Sequence, residues 1–589
     1  MSFRFVTADD DGRLYAVSAT GDLLFYRDEA RDGTSRWSFG GVGQVIGNGW
    51  GSFRQVFSGG DGIIYAVSAT GDLLFYRDEA RDGTSRWSFG GVGQVIGTSW
   101  NGFWTVFSGG GGIVYAITSI GTLLYYRDQA RDGGFSWSFN GAGQVIGSGW
   151  VIDSIEGYCW PLSGAPGETI DFYVSADTDF DLSFVRLDGQ PADGVASPVG
   201  SPIPMTASPQ VTAPDWVSGG CGWSSSYSLA VPDDWASGIY AGMCIGPDGR
   251  SFYIIFVVKP VDTRRDNVLV LASVNTWNAY NSWGGHSKYG PAIAEVLTFL
   301  RPNPAATPVD DGMVNHLTRA DLWVVNWMQQ AGYRTDVITD MDFHTGFPDM
   351  VSYPVIVLLT HPEYWSFEML DQLQTFLAGG GSLLYLGGNG LFERCIPSED
   401  TTSLTFFNGD VPLKREPAYL RNQRPPRPER QLLGVAFRYN NSWGDDPATY
   451  RAFPYQVKIA DHVLFSGTGL GAGDLIGSVG RQGVDGGGAS GWEMDTSRRG
   501  SAPDGVDVTA WVDNDRGAPP DNLQLLARGT NADDHSADMT YYDTGDGGFV
   551  FAAGSICFGG SLVVDAALQR IVSNALHLAN VKHRPPIHP

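Results

Sequence analysis

The chain has 589 residues, more than one hydrophobic core can organise, so about three to four domains are expected. A formal net charge of −26 and a pI near 4.6 exclude nucleic acid and anionic membrane surfaces as partners. Hydrophobic residues make up 42% of the chain, and 79 glycines with 19 tryptophans point to ordered, turn-rich β structure lined by aromatic rings.

The first residues, Met1–Asp11, have neither a basic start nor an apolar core, and no later apolar run approaches the ~20 residues of a membrane span. A cytoplasmic location without a signal peptide is the expectation. The five cysteines (Cys159, Cys221, Cys244, Cys395, Cys557) lack ligand-like spacing and read as reduced packing residues, with a Cys159–Cys221 or Cys221–Cys244 bridge as the alternative.

Residues 1–150 repeat with a 50-residue period, shown by Tyr15, Tyr65 and Tyr115 and again by Trp50, Trp100 and Trp150. Each unit carries about four short alternating strands separated by Gly/Asp turns, the pattern of a propeller blade. Met1–Asp11 resembles the stretch at Phe53 and is expected to be the last strand of a unit. Residues 151–262 alternate without helical periodicity and predict a β-sandwich of about seven or eight strands. Residues 263–589 predict an α/β domain with a parallel sheet.

Within that domain, Val268–Ala272 is a buried strand leading into Asn275–Gly285, and His316–Gly332 carries an apolar helical face. Val355–Thr360 is a second strand, ending in His361-Pro-Glu363-Tyr-Trp365. Ser366 then caps a helix stopped by Gly379-Gly-Gly381, and Ser382–Leu386 is a third strand ending in Gly387-Gly-Asn389-Gly. A strand–helix–strand unit makes the two strands parallel, so His361, Glu363 and Asn389 leave their carboxyl ends on one edge, where open α/β sheets place ligands. Ser561–Leu578 is the predicted final helix.

The repeats resemble the tachylectin-type β-propeller lectins. That resemblance implies sugar sites for N-acetylated amino sugars, although those lectins have about five blades and this chain has three units. Three units hardly close a ring, so the module is either an open fragment or completes itself by homo-oligomerisation. The last domain resembles a glutamine-amidotransferase-like sheet, but the cysteine nucleophile usual at its elbow is missing.

Six motifs in order, Ser-Gly-Ile-Tyr240, Asn275-Thr-Trp-Asn-Ala-Tyr280, His361-Pro-Glu363, Gly387-Gly-Asn389-Gly, Gly491-Trp-Glu493 and Gly554-Ser-Ile, are similar to the large subunit of N,N-dimethylformamidase. The resemblance implies hydrolysis of a small amide to acid and amine at a mononuclear ferric ion, Fe(III). It assigns Tyr240, Tyr280 and Glu363 as the iron ligands, with His361 and Asn389 orienting substrate and Glu493 as general base. Tyr364 is a rival phenolate, expected to point away from Glu363 by strand alternation. Two departures are plain: Gly390–Arg394 replaces the family's aromatic-Trp-Arg run, and the small subunit that the dimethylformamide enzyme needs is not part of this chain. Two other functions compete, a carbohydrate-binding protein with a non-catalytic α/β scaffold and an amidase acting on N-acyl sugars.

Overall fold

A computed structural model describes residues 3–583 apart from 19, 119–121, 148–149, 151–154, 190–197, 248, 262–265, 290–291, 310–315, 348–351, 408–417, 441–450, 483–486, 499–516 and 532–534. The predicted boundaries at 150/151 and 262/263 fall beside residues outside this set. Two compact units divide the chain near residue 152.

In the first unit each repeat folds into a four-stranded antiparallel sheet, the strands following one another in chain order. The first sheet contains Phe3–Ala8, Arg13–Ser18, Leu23–Arg27 and Gln44–Gly47, and the other two repeat it at Gln55–Gly97 and Phe103–Gly147. Phe3–Ala8 is thus the first strand of its own sheet, not the last of another, because its residues pair with Arg13–Ser18 next along the chain. Tyr15, Tyr65 and Tyr115 face Phe25, Phe75 and Tyr125 across equivalent strand pairs, which puts one large ring pair at the centre of every sheet.

The second unit begins with two sheets packed face to face. One joins Ile155–Trp160, Thr169–Ala176 and Tyr227–Ala230; the other joins five strands, with Gly238–Ile245 between Ser251–Val258 and Phe180–Arg186. Their inner faces meet in a core of Phe172, Phe184, Tyr240 and Phe256. All five cysteines are free and buried, so neither alternative bridge forms.

The rest of this unit is built on a mixed nine-stranded sheet. Its first five strands, Thr335–Thr339, Val268–Ala272, Val355–Leu358, Ser382–Tyr385 and Phe549–Ala552, are parallel neighbours. Asp538–Asp543, Gln524–Gly529, Tyr455–Val457 and Leu475–Ile476 continue it antiparallel. The parallel strands are buried on both faces, which is why they read as unbroken apolar runs.

Helix Phe367–Ala378 begins where Ser366 Oγ accepts from Met369 N, 3.2 Å away. Two predicted helices are shorter than their apolar patterns. From His316 the chain winds irregularly over Leu317–Leu322, where Ala320 N donates to Thr360 Oγ1 (3.0 Å), and the α-helix runs only over Trp323–Gln330. The last helix divides into Phe558–Leu562 and Ala566–Leu578 because Asp565 caps the second piece, accepting from Ala567 N and Leu568 N. Among the described residues no helix is long and apolar enough to cross a membrane.

At the carboxyl edge of the sheet, backbone approaches backbone. A Cβ on Gly388 would lie 2.3 Å from the Glu493 carbonyl oxygen and 2.7 Å from Ile556 N. Neither atom can swing aside as a side chain would, so Gly388→Ala is expected to cost about 1–3 kcal/mol. Gly379 at the helix end has room for a methyl group, its nearest contact being 3.4 Å, so Gly379→Ala is expected to be close to neutral. Urea unfolding of the two variants beside the parent measures the difference.

Candidate functional site at the carboxyl edge of the mixed sheet

Four segments deliver side chains to one buried cluster. Strand Val268–Ala272 passes into the short helix Val274–Ala279, which ends on Tyr280. Strand Val355–Leu358 leads to His361 and Glu363, strand Ser382–Tyr385 to Asn389, and strand Glu493–Thr496 starts on Glu493. Asn389 sits at φ +52°, a left-handed conformation that asparagine tolerates better than most residues. Its backbone N–H donates to Asp495 Oδ1 at 2.8 Å, which fixes the loop.

Glu363, only 3% exposed, is the hub. Tyr280 Oη donates to its Oε2 and Tyr289 Oη to its Oε1, each at 3.2 Å. His361 Nε2 lies 3.3 Å from Glu363 Oε2 and 3.0 Å from Glu493 Oε2, bridging the two carboxylates. Asn389 Nδ2 donates to Glu493 Oε2 at 2.8 Å. On its other side, His361 Nδ1 is 3.0 Å from Nε2 of buried His316. The Glu363 backbone N–H donates to Thr276 Oγ1 at 3.2 Å, tying the loop to the Tyr280 helix.

The structure therefore brings together Tyr280, Glu363, His361, Asn389 and Glu493. Tyr240 is the exception. Its ring stacks on Trp235 (centroids 4.8 Å apart) within the sandwich core, and its hydroxyl donates to the Ala236 carbonyl oxygen. The second phenol at Glu363 belongs to Tyr289. Tyr364 also departs from expectation, since its hydroxyl pairs with that of Tyr289 rather than pointing away. Strand alternation fails there because Glu363 N donates back to the His361 carbonyl oxygen (3.0 Å), a tight turn in place of extended backbone.

Tyr289 reaches the site because the chain doubles back at Gly284 and Gly285, both at positive φ, so that Lys288 N donates to the Ala279 carbonyl oxygen at 3.1 Å. Buried Arg301 locks this return, donating to the carbonyl oxygens of Asn281 and His286 at 3.0 Å each. The glycine pair four and five residues after Tyr280 was the available sequence signal for this reversal. Lys288 and His316, also unforeseen, have no such signal. Lys288 Nζ pairs with Glu393 at 2.9 Å and lies over the Tyr289 ring, 4.4 Å from its centroid.

Electrostatics follow from burial. Burial and then Glu363 hold the Tyr280 and Tyr289 hydroxyls well above the usual phenol range, so they stay protonated and donate. Burial raises the Glu363 carboxyl, and His361 opposes it. Burial alone would lower the His361 imidazole, but Glu493 and then Glu363 outweigh it and raise it. His316 is pushed well below its usual value by burial and by His361, so His361 Nδ1–H donates to a neutral His316. Among the described residues no group of three His, Cys, Asp or Glu side chains could hold a metal ion, so a metal here would need the phenols.

With this geometry in place, comparison with known proteins identifies the class. The profile of the "N,N-dimethylformamidase beta subunit-like, C-terminal" family matches residues 188–571, and the chain belongs to that family. The Tachylectin profile matches residues 1–155. The chain is 25% identical over 416 residues to the N,N-dimethylformamidase beta subunit of Paracoccus aminophilus, covering 60% of this chain and 54% of the relative. It is likewise 25% identical over 421 residues to the same subunit from an Alcaligenes species, covering 61% and 54%. The chain thus spans about half the length of these curated relatives. Among solved structures it is similar to the SapL1 lectin in complex with alpha methyl fucoside, at 16% identity over 44% of this chain and 81% of that one, with a TM-score of 0.16 that carries no argument.

Behind the cluster, Asp495 is fully buried and its carboxyl is pushed up to about 7 by burial, against hydrogen bonds from Tyr385 and Asn389 N–H. A carboxyl raised above its unfolded value binds its proton more tightly when folded, so its contribution to stability is lost as pH rises from about 4 to about 7. At about 1.4 kcal/mol per unit the loss reaches up to about 4 kcal/mol. Asp495→Asn is expected to remove this component, and urea unfolding of parent and variant at pH 4, 5.5 and 7 checks it. Parallel pH profiles for the two proteins would count against it.

Proposed function

We propose that the chain is a hydrolase that cleaves the C–N bond of a small amide of the formamide type, giving an acid and an amine. The observation that supports this most directly is the convergence of the Tyr280 and Tyr289 phenols on Glu363, with His361, Asn389 and Glu493 beside them. Family membership supports the same reading. Five adjacent parallel strands with the cluster at their carboxyl ends also favour a glutamine-amidotransferase-like sheet.

The donor set fits a mononuclear ferric ion. Phenolate and carboxylate are hard oxygen donors; each phenol would release its proton to solvent as it takes up the ion, and two phenolates with one carboxylate would then balance the charge of a trivalent cation. Tyr280, Tyr289 and Glu363 would hold it, and when bound it would supply a Lewis acid. The remaining chemistry falls to the chain's own side chains. Glu493 takes a proton from the attacking water and delivers it to the amide nitrogen as the C–N bond breaks. Asn389 Nδ2 and the His361 cation together fix the orientation of that carboxylate. The same cation stabilises negative charge as it develops on the carbonyl oxygen. Asn389 Oδ1 is buried without a hydrogen-bond partner among the described residues, and serves as acceptor for a substrate N–H or a water.

We further infer that the repeats bind N-acetylated sugars, as the Tachylectin match supports, and that a small subunit joins the chain, since the curated relatives are named as beta subunits.

Metal content is the first test. Protein reconstituted with ferric salt is expected to carry about one iron per chain, lost in Tyr280→Phe and Tyr289→Phe and kept in Tyr240→Phe. Loss in Tyr240→Phe with retention in Tyr289→Phe would reverse the choice of second phenol, and no iron in the parent would remove the iron-dependent reading. Glu493→Gln is expected to keep the iron and lower kcat on a formamide by about 10²–10⁴-fold, measured as acid released.

A further inference from the structure

The three sheets of the first unit meet through one set of contacts, used twice. At the first seam Tyr15 Oη donates to Asp78 Oδ2 at 3.1 Å, and Trp87 Nε1 donates to the Ile46 carbonyl oxygen at 3.0 Å. Trp50 packs there on Tyr76, with ring centroids 4.6 Å apart. At the second seam Tyr65 reaches Asp128 at 2.8 Å, Trp137 Nε1 reaches the Ile96 carbonyl oxygen at 2.6 Å, and Trp100 packs on Tyr126 at 4.7 Å. Each sheet therefore has a leading face (Tyr, Ile and closing Trp) and a receiving face (Tyr, Asp and Trp of the next repeat).

The two terminal faces carry the same chemistry and are left over. Trp150 is 50% exposed where Trp50 and Trp100 are 5%, and Ile146 is 52% exposed where Ile46 is 2% and Ile96 is 0%. On the receiving side Trp37 is 38% exposed where Trp137 is 7%. Asp28 accepts from Ala30 N and Arg31 N through Oδ1, as Asp78 does from its own neighbours, yet among the described residues no tyrosine reaches its other oxygen. Tyr115, the third member of the tyrosine series, has no hydroxyl partner among them.

We propose that the leading face of one chain seats on the receiving face of a second copy, and the reverse, so that two chains close one ring. The third seam then repeats the first two, with Tyr115 of one copy donating to Asp28 of the other, Trp37 Nε1 to the Ile146 carbonyl oxygen, and Trp150 packed on Tyr26. Continuity with a seam the chain already makes twice selects a second copy as the occupant. The contact is head-to-tail, and such contacts either close or propagate. Propellers close with about four to eight blades. One chain supplies too few, a third would exceed the range, and two chains supply six.

Sedimentation of the full chain tests this. The parent is expected at twice its 63.5 kDa mass. Trp150→Arg and Trp37→Arg attack opposite faces, and each is expected to sediment as a single chain with unchanged circular dichroism. Tyr115→Phe, which deletes one hydroxyl and leaves packing intact, is expected to raise the dissociation constant several-fold even if the arginine variants fold poorly. A parent that stays single at every concentration, with these faces covered by another part of its own chain or by a different partner, would overturn the proposal. So would a pair that survives both arginine substitutions, or a series of larger assemblies.

Discussion

A carboxylate buried to 3% exposure must be met by donors or give up its charge, and the candidate site is organised by how Glu363 is met. The Tyr280 phenol and the His361 imidazolium share one of its oxygens, and the Tyr289 phenol donates to the other. The imidazolium is shared with a second buried carboxylate, Glu493, and leans on neutral His316 behind it. Removing any one of these partners would leave a buried charge exposed to the low-dielectric interior. The close backbone packing at Gly387 and Gly388 serves the same end, because it lets the Asn389 loop lie against Glu493.

Geometry around that hub comes from two kinds of element. Parallel strands, buried on both faces and rigid, carry His361, Glu363 and Asn389 to one edge. The Tyr289 phenol arrives on an irregular return held by Arg301, whose guanidinium is saturated by carbonyl oxygens rather than by an acid. Such a loop can be fixed without adding another carboxylate to a site that already holds two. The repeats follow a different logic. Each sheet in the first unit buries its tyrosine and tryptophan only by resting on a neighbour, so the number of satisfied faces depends on the number of sheets.

Much of the fold was legible because local patterns and tertiary needs agree. The 50-residue repeat, the alternating sandwich strands, the Ser366-capped helix and the buried apolar runs all report their surroundings directly. Where they disagreed, tertiary contacts won. Ala320 spends its N–H on Thr360 instead of a helical carbonyl, and Asp565 accepts from the backbone to start a new helix inside an apolar run.

The sequence by itself determined the strand–helix–strand frame, and with it the placing of His361, Glu363 and Asn389 at one sheet edge, because side-chain direction follows from strand ends and turn residues. Only the tertiary structure decided which tyrosines join Glu363. Tyr240 stands at the start of a strand as a ligand could, but its ring is committed to the sandwich core, whereas Tyr289 is carried in by a glycine reversal locked from afar by Arg301. A tyrosine is equally suited to packing and to ligation, so its role depends on which neighbours reach it, and those neighbours are distant in the chain.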